Sequence, residues 1–277
     1  MTHDATWHEV QYNPRLSVAD AASIIPGWRR RALATRERHP PMGDLKYGPH
    51  PRENIDLFRA PNAKGTVVYI HGGYWRMLSK LETSWIADGF LEQSYSVALI
   101  NYPLCPDVTL TDIRASSIRA FAYLWKQVLN EGERNAIAVT GHSAGGHLAA
   151  LHLAVNWSAY GLPENPIAGV LPVSGIFDVA PLMHTTMNDD IRITQEAAPA
   201  LNLMATPLRS KAELLFAVGG DEPEEFHRQS KDMAAAWSVL SPRVISLPGT
   251  NHFTVIDSLA DGNGVLNREV VGMLEKS

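Results

Sequence analysis

Apolar residues in this chain form short extended runs, separated by longer stretches in which they recur every three or four positions. The runs 66–70, 96–100, 136–140, 168–173, 213–218 and 243–247 predict strands. Between them the helical spacing predicts helices near 83–93, 111–130, 144–155 and 224–240. In the last of these, Phe226, Met233, Trp237 and Leu240 mark a core-facing stripe. Strand–helix alternation of this kind implies parallel strands joined by right-handed crossovers, with helices on both faces of the sheet. An earlier hairpin is predicted from 44–47 and 54–58, turning at Gly48-Pro49-His50-Pro51. No internal repeat or low-complexity linker divides the chain, so residues 1–277 read as one domain. Two segments stand outside the alternation. Residues 17–38 read as a helix with a basic patch (Arg29, Arg30, Arg31) belonging to an N-terminal appendage of about residues 1–40. Residues 179–210, with Met183, Met187, Met204 and three prolines, form an insertion long enough to read as a partial lid.

Composition narrows the class. The hydrophobic fraction of 45% is ample for a core, while no run approaches the roughly 18 apolar residues of a membrane span. The N-terminus lacks the apolar centre of a signal peptide. A net charge of −5 without a basic stripe speaks against nucleic acid. A single cysteine, Cys105, excludes an intrachain disulfide and a multi-cysteine zinc site. These features lead us to expect a globular, cytoplasmic protein with no membrane association. Nothing in the sequence demonstrates a homodimer.

Candidate chemistry begins at Gly141-His142-Ser143-Ala144-Gly145, placed after a predicted strand and before a predicted helix. A serine on so tight a turn projects its hydroxyl from the sheet edge, and the glycines leave room for the backbone; the bland alternative is a glycine-rich turn. A serine nucleophile needs a base, and the base needs an orienting carboxylate. Downstream, Gly219-Gly220-Asp221 and Asn251-His252-Phe253 each follow a strand, giving Asp221 as acid and His252 as base. Asp178 is the rival acid but reads as a loop brace, and Glu222 reads as solvated. An oxyanion needs donors, and His71-Gly72-Gly73-Tyr74-Trp75 closes another strand. The N–H groups of Gly72, Gly73 and Ala144 are the candidates. His71 is expected to orient this loop, and His142 and His147 to be structural. Tyr74 and Trp75 are candidate substrate contacts, with core packing as the alternative for both. No histidine pair shows helical metal-ligand spacing, so neither metal nor cofactor is expected.

With these residues assembled, the chain resembles an α/β-hydrolase of the kynurenine formamidase (arylformamidase) type and its bacterial carboxylesterase relatives. The likeness rests on residues 71–75, 141–147 and 174–182, on Glu225-Phe226-His227-Arg228-Gln229-Ser230, and on 251–253, spanning roughly 65–257. It implies an α/β-hydrolase fold with a mostly parallel central sheet, and Ser143, Asp221 and His252 as the triad. The activity it implies is cleavage of a small acyl ester or aryl formamide through an acyl-serine intermediate. A general short-chain carboxylesterase and a non-catalytic binding protein on the same scaffold are the alternatives.

Overall fold

The structure, a computed structural model, describes residues 4–276. Its strands are β1 (Met42–Lys46), β2 (Asn54–Phe58), β3 (Thr66–Ile70), β4 (Ser96–Ile100), β5 (Ile137–His142), β6 (Gly169–Val173), β7 (Glu213–Gly219) and β8 (Arg243–Leu247). They form one sheet in the order β1-β2-β4-β3-β5-β6-β7-β8. Strand β2 is antiparallel to both neighbours and every later pairing is parallel. The predicted hairpin and parallel sheet are therefore both present, and β3, β4 and β8 begin and end at the predicted residues.

The longer helices are α1 (Ala5–Tyr12), α2 (Ala21–Arg38), α3 (Leu110–Tyr123), α4 (Ala144–Leu151), α5 (Glu224–Ala236) and α6 (Val265–Glu275). Strand side chains alternate between the two faces. Val68 and Ile70 of β3 join one core with Ile113 of α3, Leu148 of α4 and Phe226 of α5. Val67 and Tyr69 join the other, with Trp28 of α2 and Val270 of α6. Helices therefore cover both faces, as parallel strands buried on two sides require. No helix among the described residues is long and apolar enough to cross a membrane.

The N-terminal segment is more closely integrated than an appendage. Trp28 and Ala32 of α2 are core residues. Arg31 lies 3.7 Å above the Trp85 ring and bonds Asp257 at 2.5 Å. Helix α1 docks through buried Tyr12, whose hydroxyl donates to Glu225 Oε2 at 2.5 Å. Glu9 accepts from the N–H and hydroxyl of Thr186, both at 2.8 Å. The turn between α1 and α2 is thereby held over the carboxyl ends of β3, β5 and β8, the sheet edge where ligands bind in folds of this class.

Candidate active site

Strand β5 continues two residues beyond its predicted end and passes into α4 through Ser143. The φ of 55° and ψ of −118° there lie outside the regions open to most L-residues, a strain of roughly 1–3 kcal/mol. Its glycine neighbours are sterically required. A Cβ on Gly145 would stand 2.0 Å from the Ile70 carbonyl oxygen, and one on Gly141 2.3 Å from that of Gly145. The Ser143 N–H donates to Val173 O at 2.8 Å, fixing the turn to β6. Ser143 and His252 line one cavity of about 120 Å³.

His252 stands on the loop after β8. Asn251 Oδ1 accepts from the N–H groups of Phe253 (2.9 Å) and Thr254 (3.1 Å), an Asx turn that sets the loop's shape. The imidazole packs against Phe226 and His142, with ring centroids 4.5 and 4.6 Å away. His142 Nε2 donates to the His252 carbonyl oxygen at 2.7 Å. Burial and the neighbouring His252 hold the His142 pKa well below the usual range. It is therefore a neutral strut for the loop, not a second base.

The carboxylate hydrogen-bonded to His252 is Glu222, and not Asp221 as expected from the sequence. Glu222 Oε2 accepts from His252 Nδ1 at 2.6 Å. Its other oxygen accepts from Ser174 Oγ at 2.5 Å and from the Gly219 N–H at 2.6 Å. The Glu222 side chain is fully buried, whereas Asp221 is exposed. The turn after β7 explains the exchange. Asp221 N–H donates outward along the backbone to Thr250 O (2.9 Å), while Glu222 N–H returns to Gly219 O (3.2 Å). Adjacent side chains on this turn leave in opposite directions, and the longer one reaches back under the imidazole. Gly219 must lack a side chain because a Cβ would meet Thr250 O at 2.5 Å. Asp178 braces its own loop, accepting from Ala180 N–H at 3.1 Å.

Donation from Nδ1 to Glu222 puts the proton of the neutral ring on that nitrogen and leaves Nε2 a lone pair. The loop after β3 lies beside the elbow. A Cβ on Gly72 would be 3.3 Å from Ser143 Cβ, and Gly73, Tyr74 and Trp75 all have positive φ. His71 orients this loop, with Nδ1–H donating to Gly72 O at 2.8 Å and its ring stacked on Tyr102 at 4.2 Å. Burial lowers its pKa to about 3, which keeps the ring neutral. Ala144 opens α4, where the first N–H groups have no partner within the helix and meet the positive end of its dipole.

Tyr74 lines the cavity and its hydroxyl donates to the Tyr12 carbonyl. Trp75, the other expected substrate contact, does not. It is fully buried, edge-on to His147 at 5.4 Å, because the positive-φ turn swings it beneath the loop. Trp75→Leu is therefore expected to cost about 2–3 kcal/mol of stability. Thermal melting together with kcat/KM for an aryl and an alkyl ester checks this. The melting temperature falls and the ratio of the two substrates holds.

The cavity roof differs from expectation. Of residues 179–210, only Met187 lines the cavity; Asn13, Pro14, Arg15, Ile25 and Trp28 line it from the N-terminal segment. The cover over Ser143 is thus supplied mainly by the α1–α2 region. The Phe226–Ser230 stretch binds that cover to the site. Buried Gln229 donates to Tyr12 Oη (3.2 Å) and Asp178 O (2.8 Å), and accepts from the N–H groups of Phe177 and Asp178, both at 2.9 Å. No sequence periodicity marks these long-range partners. His147 is structural as expected, its Nδ1 bonded to Ile176 O at 2.8 Å. Among the described residues no three His, Cys, Asp or Glu side chains are grouped as metal ligands.

Residues 55–218 match the BD-FAE family. Kynurenine formamidase of Salmo salar is 30% identical, over 96% of this chain and 94% of its own. Esterase LipQ of Mycobacterium tuberculosis is 28% identical, over 90% of this chain and 65% of its own. A solved structure from Silicibacter sp. TM1040, provisionally named a thioesterase, superposes with a TM-score of 0.86 at 30% identity, covering 95% of this chain and 98% of that one. An esterase/lipase from an uncultured bacterium shares the fold at 19% identity, with a TM-score of 0.72 over 91% of this chain and 89% of that one.

Proposed function

Because the chain belongs to the BD-FAE family of α/β-hydrolases, with esterases and formamidases among its relatives, we propose that it is a serine hydrolase of small acyl esters or aryl formamides. The observation that carries this reading is the relay from buried Glu222 to His252, whose imidazole shares a cavity with Ser143. His252 Nε2 takes the Ser143 hydroxyl proton as Oγ attacks the scissile carbonyl. The resulting oxyanion is held by N–H groups from Gly72 or Gly73 and from Ala144. The imidazolium, stabilised by Glu222, returns its proton to the leaving alcohol or amine. An acyl-serine remains, and His252 then deprotonates the water that cleaves it. Asp221, expected as the acid from the sequence, has no part in this scheme.

The cavity of about 120 Å³ is well below the roughly 300–1,000 Å³ typical of sites for drug-sized ligands, which favours short acyl groups. Tyr74 at its wall supports an aryl leaving group, since an aromatic pair adds about 0.5–1.5 kcal/mol. A panel of N-formylkynurenine and p-nitrophenyl esters graded by acyl length tests the proposal. Turnover of the formamide and of the acetate, falling as the acyl chain lengthens, is expected. The likeness to esterases favours a second reading, a general short-chain carboxylesterase, which would cleave the acetate and leave the formamide intact. Inactivity on every short-chain ester and formamide would defeat both readings.

A further inference from the structure

The cavity wall is electrostatically lopsided. Its lining contains two arginines, Arg15 and Arg76, and neither aspartate nor glutamate, in a chain of net charge −5. Arg76 is paired, with Nη1 2.5 Å from Asp190 Oδ2. Arg15 is not. Among the described residues its guanidinium has no carboxylate partner, and its Nη2 meets only the Met77 thioether sulfur at 3.4 Å. A thioether is a weak acceptor, easily displaced by an anion.

The backbone turn that carries the exposed Arg15 is itself fixed by hydrogen bonds. Leu16 N–H donates to Asn13 O (3.0 Å) and Ser17 N–H to Pro14 O (3.3 Å). Asn13 Nδ2 donates to Glu9 Oε1 at 2.9 Å, and Glu9 is fastened in turn to Thr186. A guanidinium presents a planar fork matched to a carboxylate.

We propose that Arg15 is a specificity residue that receives a substrate carboxylate remote from the scissile carbonyl, so that this site prefers anionic esters or amides. The proposal rests on the hydrolase reading above but concerns a different part of the substrate. A charge pair about 4 Å apart, between rim and bulk water, supports roughly a tenfold preference. That preference shrinks as salt screens the pair. Because the carboxylate lies away from the reacting atoms, its contact persists unchanged from ground state to transition state and acts on KM, not kcat.

The test compares 4-acetoxybenzoate with its methyl ester, methyl 4-acetoxybenzoate, on the parent protein and on Arg15→Gln, Arg15→Lys and Arg29→Gln. Intrinsic reactivity differences cancel when the ratio of the two kcat/KM values is compared between variants. We expect Arg15→Gln to lower the anionic-to-neutral ratio about tenfold through KM. Arg15→Lys should keep most of the ratio, and Arg29→Gln, an exposed charge outside the cavity, all of it. An unchanged ratio in Arg15→Gln, or an equal fall in Arg29→Gln, overturns the proposal. Binding of 4-hydroxybenzoate by calorimetry reads the same subsite without turnover. Weakening in Arg15→Gln alone, with no hydrolysis of either ester, would retain the subsite and reject the hydrolase reading. Binding that ignores Arg15 would reject the subsite even in an active enzyme.

Discussion

Glu222→Gln should lower kcat for any ester or formamide the protein turns over by about 10³–10⁴, while Asp221→Asn should leave it within about twofold. The asymmetry follows from hydrogen-bond inventory. Glu222 accepts from three donors, Ser174 Oγ, Gly219 N–H and His252 Nδ1. A glutamine has one accepting oxygen, and Ser174 and Gly219 already hold one position. Its amide nitrogen would then face His252 Nδ1 and drive the imidazole to the tautomer protonated at Nε2, which has no lone pair for the serine proton. The imidazolium would also lose its anion. Exposed Asp221 has no contact with the ring. Steady-state kinetics on the two variants, with melting curves to confirm folding, decide between them. A severe loss in Asp221→Asn with Glu222→Gln active would reverse the assignment.

Ser143→Ala and His252→Ala should each remove catalysis by a factor on the order of 10⁶, and the double variant should be no worse than either. Groups that act as a unit lose nearly everything with the first deletion. The same serine carries backbone strain, so its removal has a second signature. Ser143→Gly frees a residue held at φ 55° and should be more stable than the parent by about 1 kcal/mol while remaining inactive. Thermal melting beside the kinetics checks it. A glycine variant that melts below the parent would show that the turn stores no strain.

What the sequence revealed and what it concealed divide along physical lines. Strands β3, β4 and β8 were legible to the residue because short apolar runs between turns have few other uses. The elbow was legible because its glycines answer local clashes, with Ile70 O for Gly145 and Gly145 O for Gly141. The choice between Asp221 and Glu222 was not. Both follow β7, and only the return of the Glu222 N–H to Gly219 O decides which carboxylate points inward. Trp75 was ambiguous for a related reason, since a positive-φ turn reverses the alternation that would have placed it. Helix α1 has little apolar stripe of its own and is held by Glu9, Tyr12 and their partners more than 170 residues away. The N-terminal cover over Ser143 was hidden with it. The C-terminal helix α6 does carry a readable stripe in Leu266, Val270, Val271 and Leu274, but the strand–helix alternation ends before it and does not require it.

The central claim is that Ser143 becomes acylated with His252 as its base. The most direct measurement is to treat the folded protein with a fluorophosphonate, digest it and locate the mass shift by tandem spectrometry. A single adduct on Ser143, formed by the parent, slowed severely in His252→Ala and Glu222→Gln and unaffected in Asp221→Asn, is the predicted result. An adduct on another residue, or hydrolytic activity that survives Ser143→Ala, would contradict it.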